Sequence, residues 1–222
     1  MIFQMKRFYL ALGIIAAGIL LTAYPWISNH LYEKNSDSTI HVYEAQAEEY
    51  DETEKMEVLA KAYDYNERLA DSNVRLTDPF SAKLENNDLD PLYHECLAFD
   101  DSGLMGYIEI PSIGVYLPVY HGTDDAALSR GVGHLEGSSL PVGGDGTHSV
   151  LSRHTGINNA KMFTDLENME LGDLFFIHIL DDVYAYEVCD INVVEPSDAS
   201  LLASQLGRDL CTLVTCTPYG VN

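Results

Sequence analysis

The sequence predicts a mainly β fold: a closed β-barrel with short helices, preceded by an N-terminal helical region and a transmembrane helix. Three observations predict it. Residues 103–222 break into many short alternating segments punctuated by Gly, Pro and Asp, with few helical stretches between them. Residues 42–70 place Leu59, Ala62, Tyr63, Asn66, Leu69 and Ala70 at three- and four-residue spacing, the period of a helix with one packed face. Residues 8–27 carry no charge, and a run of roughly 20 such residues is what a helix needs to cross a bilayer.

In chain order, residues 1–7 contain Lys6 and Arg7 and are expected on the cytoplasmic side of the span at residues 8–28. Tyr24 and Trp26 sit at its far end, where interfacial aromatics belong. A cleaved signal peptide is the rival reading; the apolar run is long for one, and no small-x-small site follows it. Residues 29–39 are polar and read as a short linker within an extracellular helical region, 29–102. In the helix that follows, acidic residues crowd the first half and Lys61 and Arg68 come later, an order that suits the helix macrodipole. Residues 71–101 have no clear period, and Pro79 stops any helix there. Within the barrel, strands are expected at 106–111, 115–120, 149–152, 174–180, 183–194 and 212–215, with short helices at 125–129 and 159–168.

Composition narrows the function. Twelve Lys+Arg against 35 Asp+Glu give a net charge of −23. Nucleic acid and anionic membrane surfaces would be repelled by the soluble part, whereas a lysine-bearing protein partner is compatible with it. The same acidity also serves plain solubility. The four cysteines, Cys96, Cys189, Cys211 and Cys216, contain no CxxC and no zinc-like pairing. Cys211 and Cys216 lie five apart on one expected strand, so they face opposite ways and cannot pair while it stays extended.

Cys216 is the candidate nucleophile. It stands where Thr212-Leu213-Val214-Thr215 runs out into Thr217-Pro218-Tyr219-Gly220, a strand passing into a turn. A lone cysteine is a weak signal, since buried inert thiols are common. A second stretch adds weight. Ser149-Val150-Leu151-Ser152-Arg153-His154-Thr155-Gly156 is another strand ending in a polar turn, with His154 at its mouth. Two such strand ends can meet across a sheet.

With Tyr120-His121-Gly122-Thr123, the run Gly131-Val132-Gly133-His134-Leu135-Glu136-Gly137-Ser138-Ser139-Leu140-Pro141-Val142-Gly143-Gly144 and Ala160-Lys161-Met162-Phe163-Thr164-Asp165-Leu166, these stretches closely resemble the sortases, specifically the class C, pilus-assembling kind of Gram-positive bacteria. The resemblance covers nearly the whole chain. It implies a cysteine transpeptidase without cofactor or metal. Cys216 would attack the Thr carbonyl of an LPXTG-like sorting motif, and His154 would be the general acid and base. The resulting thioacyl group would pass to a pilin lysine. It also implies a lid at Asp78-Pro79-Phe80, with Asp78 facing the catalytic arginine and Phe80 against the cysteine. By residues alone that tripeptide is a turn.

Two departures from the family pattern bear on this. The turn that usually reads Gly-His-Arg-Gly is here Arg153-His154-Thr155-Gly156. The family also continues past Val-Asn into Thr-His-Arg and a final strand, whose arginine is the main oxyanion donor, whereas this sequence stops at Asn222. The expectation is therefore a fragment of an active enzyme or a truncated, impaired one, with an open barrel edge. Arg130, Arg153 and Arg208 are poor substitutes by position. His121, His134 and His148 resemble structural or groove positions, and a zinc site built from them with His154 fits no helical or hairpin ligand spacing. Two other readings stand beside the transpeptidase: a non-catalytic protein that binds sorting motifs, and a plain extracellular structural domain with Cys216 buried.

Overall fold

The computed structural model describes residues 2–70, 91–154, 163–196 and 198–217. The expected lid, Asp78-Pro79-Phe80, lies outside them, as do residues 159–162 of the expected second short helix. The rest of that helix is a 3-10 turn at Phe163–Asn168.

The first helix, α1, runs unbroken from Ile2–Glu49, 48 residues including Pro25. At 1.5 Å per residue it is about 72 Å long. Its first part exposes Leu12, Ile14, Ile15, Ile19, Leu20 and Leu21, and among the described residues it is the one helix long and apolar enough to span a membrane. The segment expected as a linker, 29–39, is helical as well. The reason is a buried stripe further along. Ser36, Ile40, Tyr43 and Ala47 recur at helical spacing and are all at most 2% exposed. Tyr43 fixes the dock: its hydroxyl donates to the Met105 carbonyl at 3.1 Å and accepts the Leu180 amide at 2.8 Å.

A second helix, α2 (Glu52–Ala70), follows a break at Tyr50 and Asp51. The Asp51 carboxylate accepts the amides of Thr53 and Glu54 while Glu54 accepts the Asp51 amide, a reciprocal capping box. Asn66 anchors the other end by exchanging two hydrogen bonds with the main chain of Leu140.

Among the described residues seven strands form one sheet: β1 (Leu104–Ile110), β2 (Val115–His121), β3 (Val132–His134), β4 (His148–Ser152), β5 (Leu174–Ile179), β6 (Asp182–Glu187) and β7 (Leu210–Val214). Their order is β6-β5-β1-β2-β3-β4-β7. The pairs β2·β3 and β4·β7 are parallel, the others antiparallel. The short helix α3 (Asp125–Arg130), capped by Asp124, makes the crossover between β2 and β3. Glycine is required in that crossover: a Cβ at Gly131 would lie 2.2 Å from the Pro118 carbonyl and one at Gly133 2.4 Å from that of Gly122.

The barrel is nearly closed. Its terminal strands, β6 and β7, are bridged by side chains, with the Tyr186 hydroxyl donating to Asp209 at 3.0 Å. A cavity of about 270 Å³ lies between them, lined by Tyr186, Cys189, Arg208 and Cys211 among others. The strand expected to reach residue 194 ends at Glu187. Its last ladder bonds join Val188 to Gly172 and Asp173, and residues 189–195 then run exposed.

Candidate active site

The site is built on β4 and β7. Both are short β-rich segments, and they pair in parallel in the register His148↔Leu210 through Ser152↔Val214. The ladder runs one rung beyond the strands: the Arg153 amide donates to the Val214 carbonyl at 3.1 Å, and the Thr215 hydroxyl donates to the Arg153 carbonyl at 2.9 Å. His154 and Cys216 are therefore both two residues past the last register pair, at matched positions on neighbouring strand ends.

Strand alternation fixes which way they face. Leu151, Cys211 and Leu213 pack into the main barrel core. Val150 and Val214 turn to the other face, against Leu135, Leu202 and Ala199. His154 and Cys216 share the parity of Val150 and Val214, and both are half-buried. The strands beneath them are held rigidly. His148 bridges β4 to the Ala203 carbonyl at 3.0 Å and to the Thr212 hydroxyl at 2.6 Å. The sequence had singled out this Cys and this His, and the sheet brings them together.

The other cysteines differ in setting. None of the four is in a disulfide. Cys96 is buried, with its thiol 3.7 Å from the Lys61 carbonyl. Burial pushes the Cys211 thiol up, which keeps it protonated and unreactive. Cys189 is exposed, and the Arg208 guanidinium donates to its sulfur at 3.4 Å.

Arg153 does not act on Cys216. Alternation sends its side chain to the face opposite His154, where it is fully buried. There its guanidinium donates to the carbonyls of Leu128 and Gly131 and, at 2.6 Å, to the Tyr32 hydroxyl of α1. Arg130 lies 4.2 Å over the Tyr120 ring, and Arg208 reaches Gln205 as well as Cys189. Neither is directed to the β4–β7 ends.

Two further histidines are bound into the scaffold. His134 lies between the Tyr93 hydroxyl at 2.8 Å and the Ser139 carbonyl at 2.8 Å, and burial holds its imidazole down at about 4. His121 spans the carbonyls of Gly103 and Cys96 at 3.0 and 2.7 Å. Among the described residues no group of three or more His, Cys, Asp or Glu is placed to hold a metal ion. Tyr93, whose hydroxyl also accepts the Gly122 amide, is a structural residue the sequence reading missed. It lies in a stretch without period, so only its size and aromaticity could have marked it.

A thiol and an imidazole at adjacent parallel strand ends of a nearly closed barrel are the kind of pair that cysteine acyl transfer uses. Comparison with known proteins places the chain. Residues 108–222 match the Sortase domain, and the chain belongs to the sortase family. Its fold is similar to that of sortase C1 from Streptococcus agalactiae, with a TM-score of 0.74 and 41% identity, covering 83% of this chain and 92% of that one. It is similar also to sortase C-1 from Actinomyces oris, with a TM-score of 0.70 and 45% identity over 76% and 92% of the two chains. Among curated relatives, sortase A of Staphylococcus aureus is 28% identical over 210 residues, 93% of this chain and 84% of that protein. The family's members are cysteine transpeptidases.

Proposed function

We propose that this protein is a pilus-assembling sortase, held in the membrane by α1 with its barrel outside the cell. In this reading Cys216 is the nucleophile and His154 the general acid and base. The observation that carries the reading is the β4–β7 register, which sets these two residues at matched positions on one face. Their solved neighbours support the pilin substrate: one is described as a pilus-related sortase C, and the Streptococcus pneumoniae enzyme is described in terms of pilin substrate specificity. Lys6 and Arg7 ahead of the apolar stretch favour a cytoplasmic N-terminus.

The chemistry follows from the two groups. The Cys216 thiol gives its proton to His154 as its sulfur attacks the threonine carbonyl of an LPXTG-like motif. The Thr–Gly C–N bond breaks, and the glycine amine leaves with a proton from His154. A lysine Nζ of a second pilin then attacks the thioester, gives up its proton to His154 and displaces the sulfur, leaving an isopeptide bond. Water in place of lysine turns the same cycle into slow proteolysis. A thiol of ordinary pKa, about 8.5, is only a few per cent ionised at neutral pH. The imidazole is thus what makes the attack fast, a contribution typically of about 10²–10⁴.

The test is intact mass spectrometry of the protein, expressed from its full coding sequence, after incubation with a sorting-motif peptide. A thioester at Cys216 is expected, lost in Cys216→Ala and formed about 10²–10⁴ times more slowly in His154→Ala. An adduct that persists in Cys216→Ala, or no adduct in the wild type, overturns the assignment.

A further inference from the structure

Arg153 is the largest of the fully buried side chains, and it directly precedes His154. Among the described residues no carboxylate pairs with it. Its charge is met instead by the carbonyls of Leu128 and Gly131 and by the Tyr32 hydroxyl, and it lies 5.2 Å from the Tyr32 ring centre. Among the described residues its Nε has no hydrogen-bond partner. A guanidinium buried without a carboxylate is a poor way to stabilise a fold, so packing alone does not account for it.

Its main chain is engaged too. The amide and the carbonyl of Arg153 both bond to the end of β7, at Val214 and Thr215. Arg153 is thus the point where four things meet: the end of β4, the end of β7, the C-terminal carbonyls around α3, and α1. Tyr32 belongs to the part of α1 just beyond the apolar stretch, and its own hydroxyl donates to the Arg130 carbonyl at 2.9 Å. The residues that follow Arg153 and Thr215 in the chain are His154 and Cys216.

We infer that Arg153 is a positioning residue: with Tyr32 it clamps the joined ends of β4 and β7 to α1 and so fixes the relative placement of His154 and Cys216. This rests on the catalytic reading of those two residues. The clamp acts on the chemical step and not on the hold on the peptide, because its groups face away from the side on which His154 and Cys216 lie. Removing the Tyr32 hydroxyl leaves Arg153 Nη2 without its acceptor and loosens the tie to α1. The peptide between residues 153 and 154 can then tilt, and a small misplacement of reacting groups is costly in rate.

The experiment compares wild type, Tyr32→Phe, Arg153→Lys and the double variant in nanodiscs, each expressed from the full coding sequence. The rate of Cys216 thioester formation is measured against sorting-motif peptide concentration. Tyr32→Phe is expected to lower kcat about tenfold with KM within twofold of wild type. Arg153→Lys should lower it at least as much, and the double variant should be no slower than the slower single one, since both break one clamp. Unchanged kcat in folded Tyr32→Phe overturns the inference, as does a joint change in kcat and KM that tracks lost stability. If Arg153→Lys does not fold, Tyr32→Phe decides alone. The wild type is the control for the underlying reading: if it forms no Cys216 thioester that reading fails, whereas equal rates in wild type and variants sink only the clamp.

Discussion

Buried imidazoles, His134 foremost, tie the stability of this barrel to pH. His134 is fully buried, and its pKa falls from the ordinary 6.5 to about 4 because burial opposes the charged form. The folded chain therefore does not take up a proton that the unfolded chain accepts near pH 6.5. This contribution to stability is complete above about 6.5 and is lost progressively as pH falls toward 4. The full loss is on the order of 3 kcal/mol. Burial pushes His121, His148 and His178 the same way, so the slopes add. Urea midpoints at pH 7 and pH 5 should differ clearly. His134→Gln, which can keep bonds to both Tyr93 and the Ser139 carbonyl, should shrink the difference. An unchanged difference would mean that His134 titrates as an ordinary histidine.

At the scale of elements, the break between α1 and α2 is a local device with a local cost. Asp51 satisfies two of the amides that open α2. Asp51→Ala should lower stability by about 0.5–2 kcal/mol, read as a fall in unfolding midpoint with thioester formation unaffected. A midpoint equal to wild type would mean that packing through Ala62, Tyr65 and Asn66 alone sets where α2 begins. This cap was legible in Asp51-Glu52-Thr53-Glu54, and so was the stripe Ser36, Ile40, Tyr43, Ala47. The stripe is hard to read because the polar surface of residues 29–39 looks like a linker when the partner surface is unknown. The barrel strands were more legible, because alternation is a local signal. The exception is the expected strand to residue 194. Its β-rich residues continue past Glu187, but a strand needs a partner, and sequence does not show where partners end. The candidate pair, Cys216 and His154, was visible as two strand-end residues of the right chemistry. Their adjacency was not, since it depends on the parallel register of segments some sixty residues apart. The inward side of Arg153 was visible in principle from alternation with Leu151, although a cation there runs against the usual pattern.

At the scale of the whole molecule, charge and anchoring act together. The two cations ahead of the span leave ten against 35 acids beyond residue 28, a net −25 on the part that meets substrates. Tyr32 ties the β4–β7 ends to α1 only five residues past the apolar stretch, which is about 8 Å of helix. In the proposed orientation the site lies at the membrane-proximal end of an acidic body. The two half-reactions should feel that field differently. Attack on an uncharged sorting-motif segment has no long-range electrostatic component, whereas a lysine-bearing acceptor is drawn in by the negative field and must then lose a proton to react. Steering of this kind is screened once the Debye length falls from about 30 Å at 0.01 M salt to about 3 Å at 1 M. Raising NaCl across that range should therefore slow transfer to a cationic lysine peptide several-fold. Thioester formation with a net-neutral sorting peptide should change little. The check is the partition between isopeptide product and hydrolysed peptide at each salt concentration, because water competes for the same thioester without being steered. If the two products keep a constant ratio from low to high salt, the acidic surface serves solubility alone, and acceptor choice rests on contacts at the site.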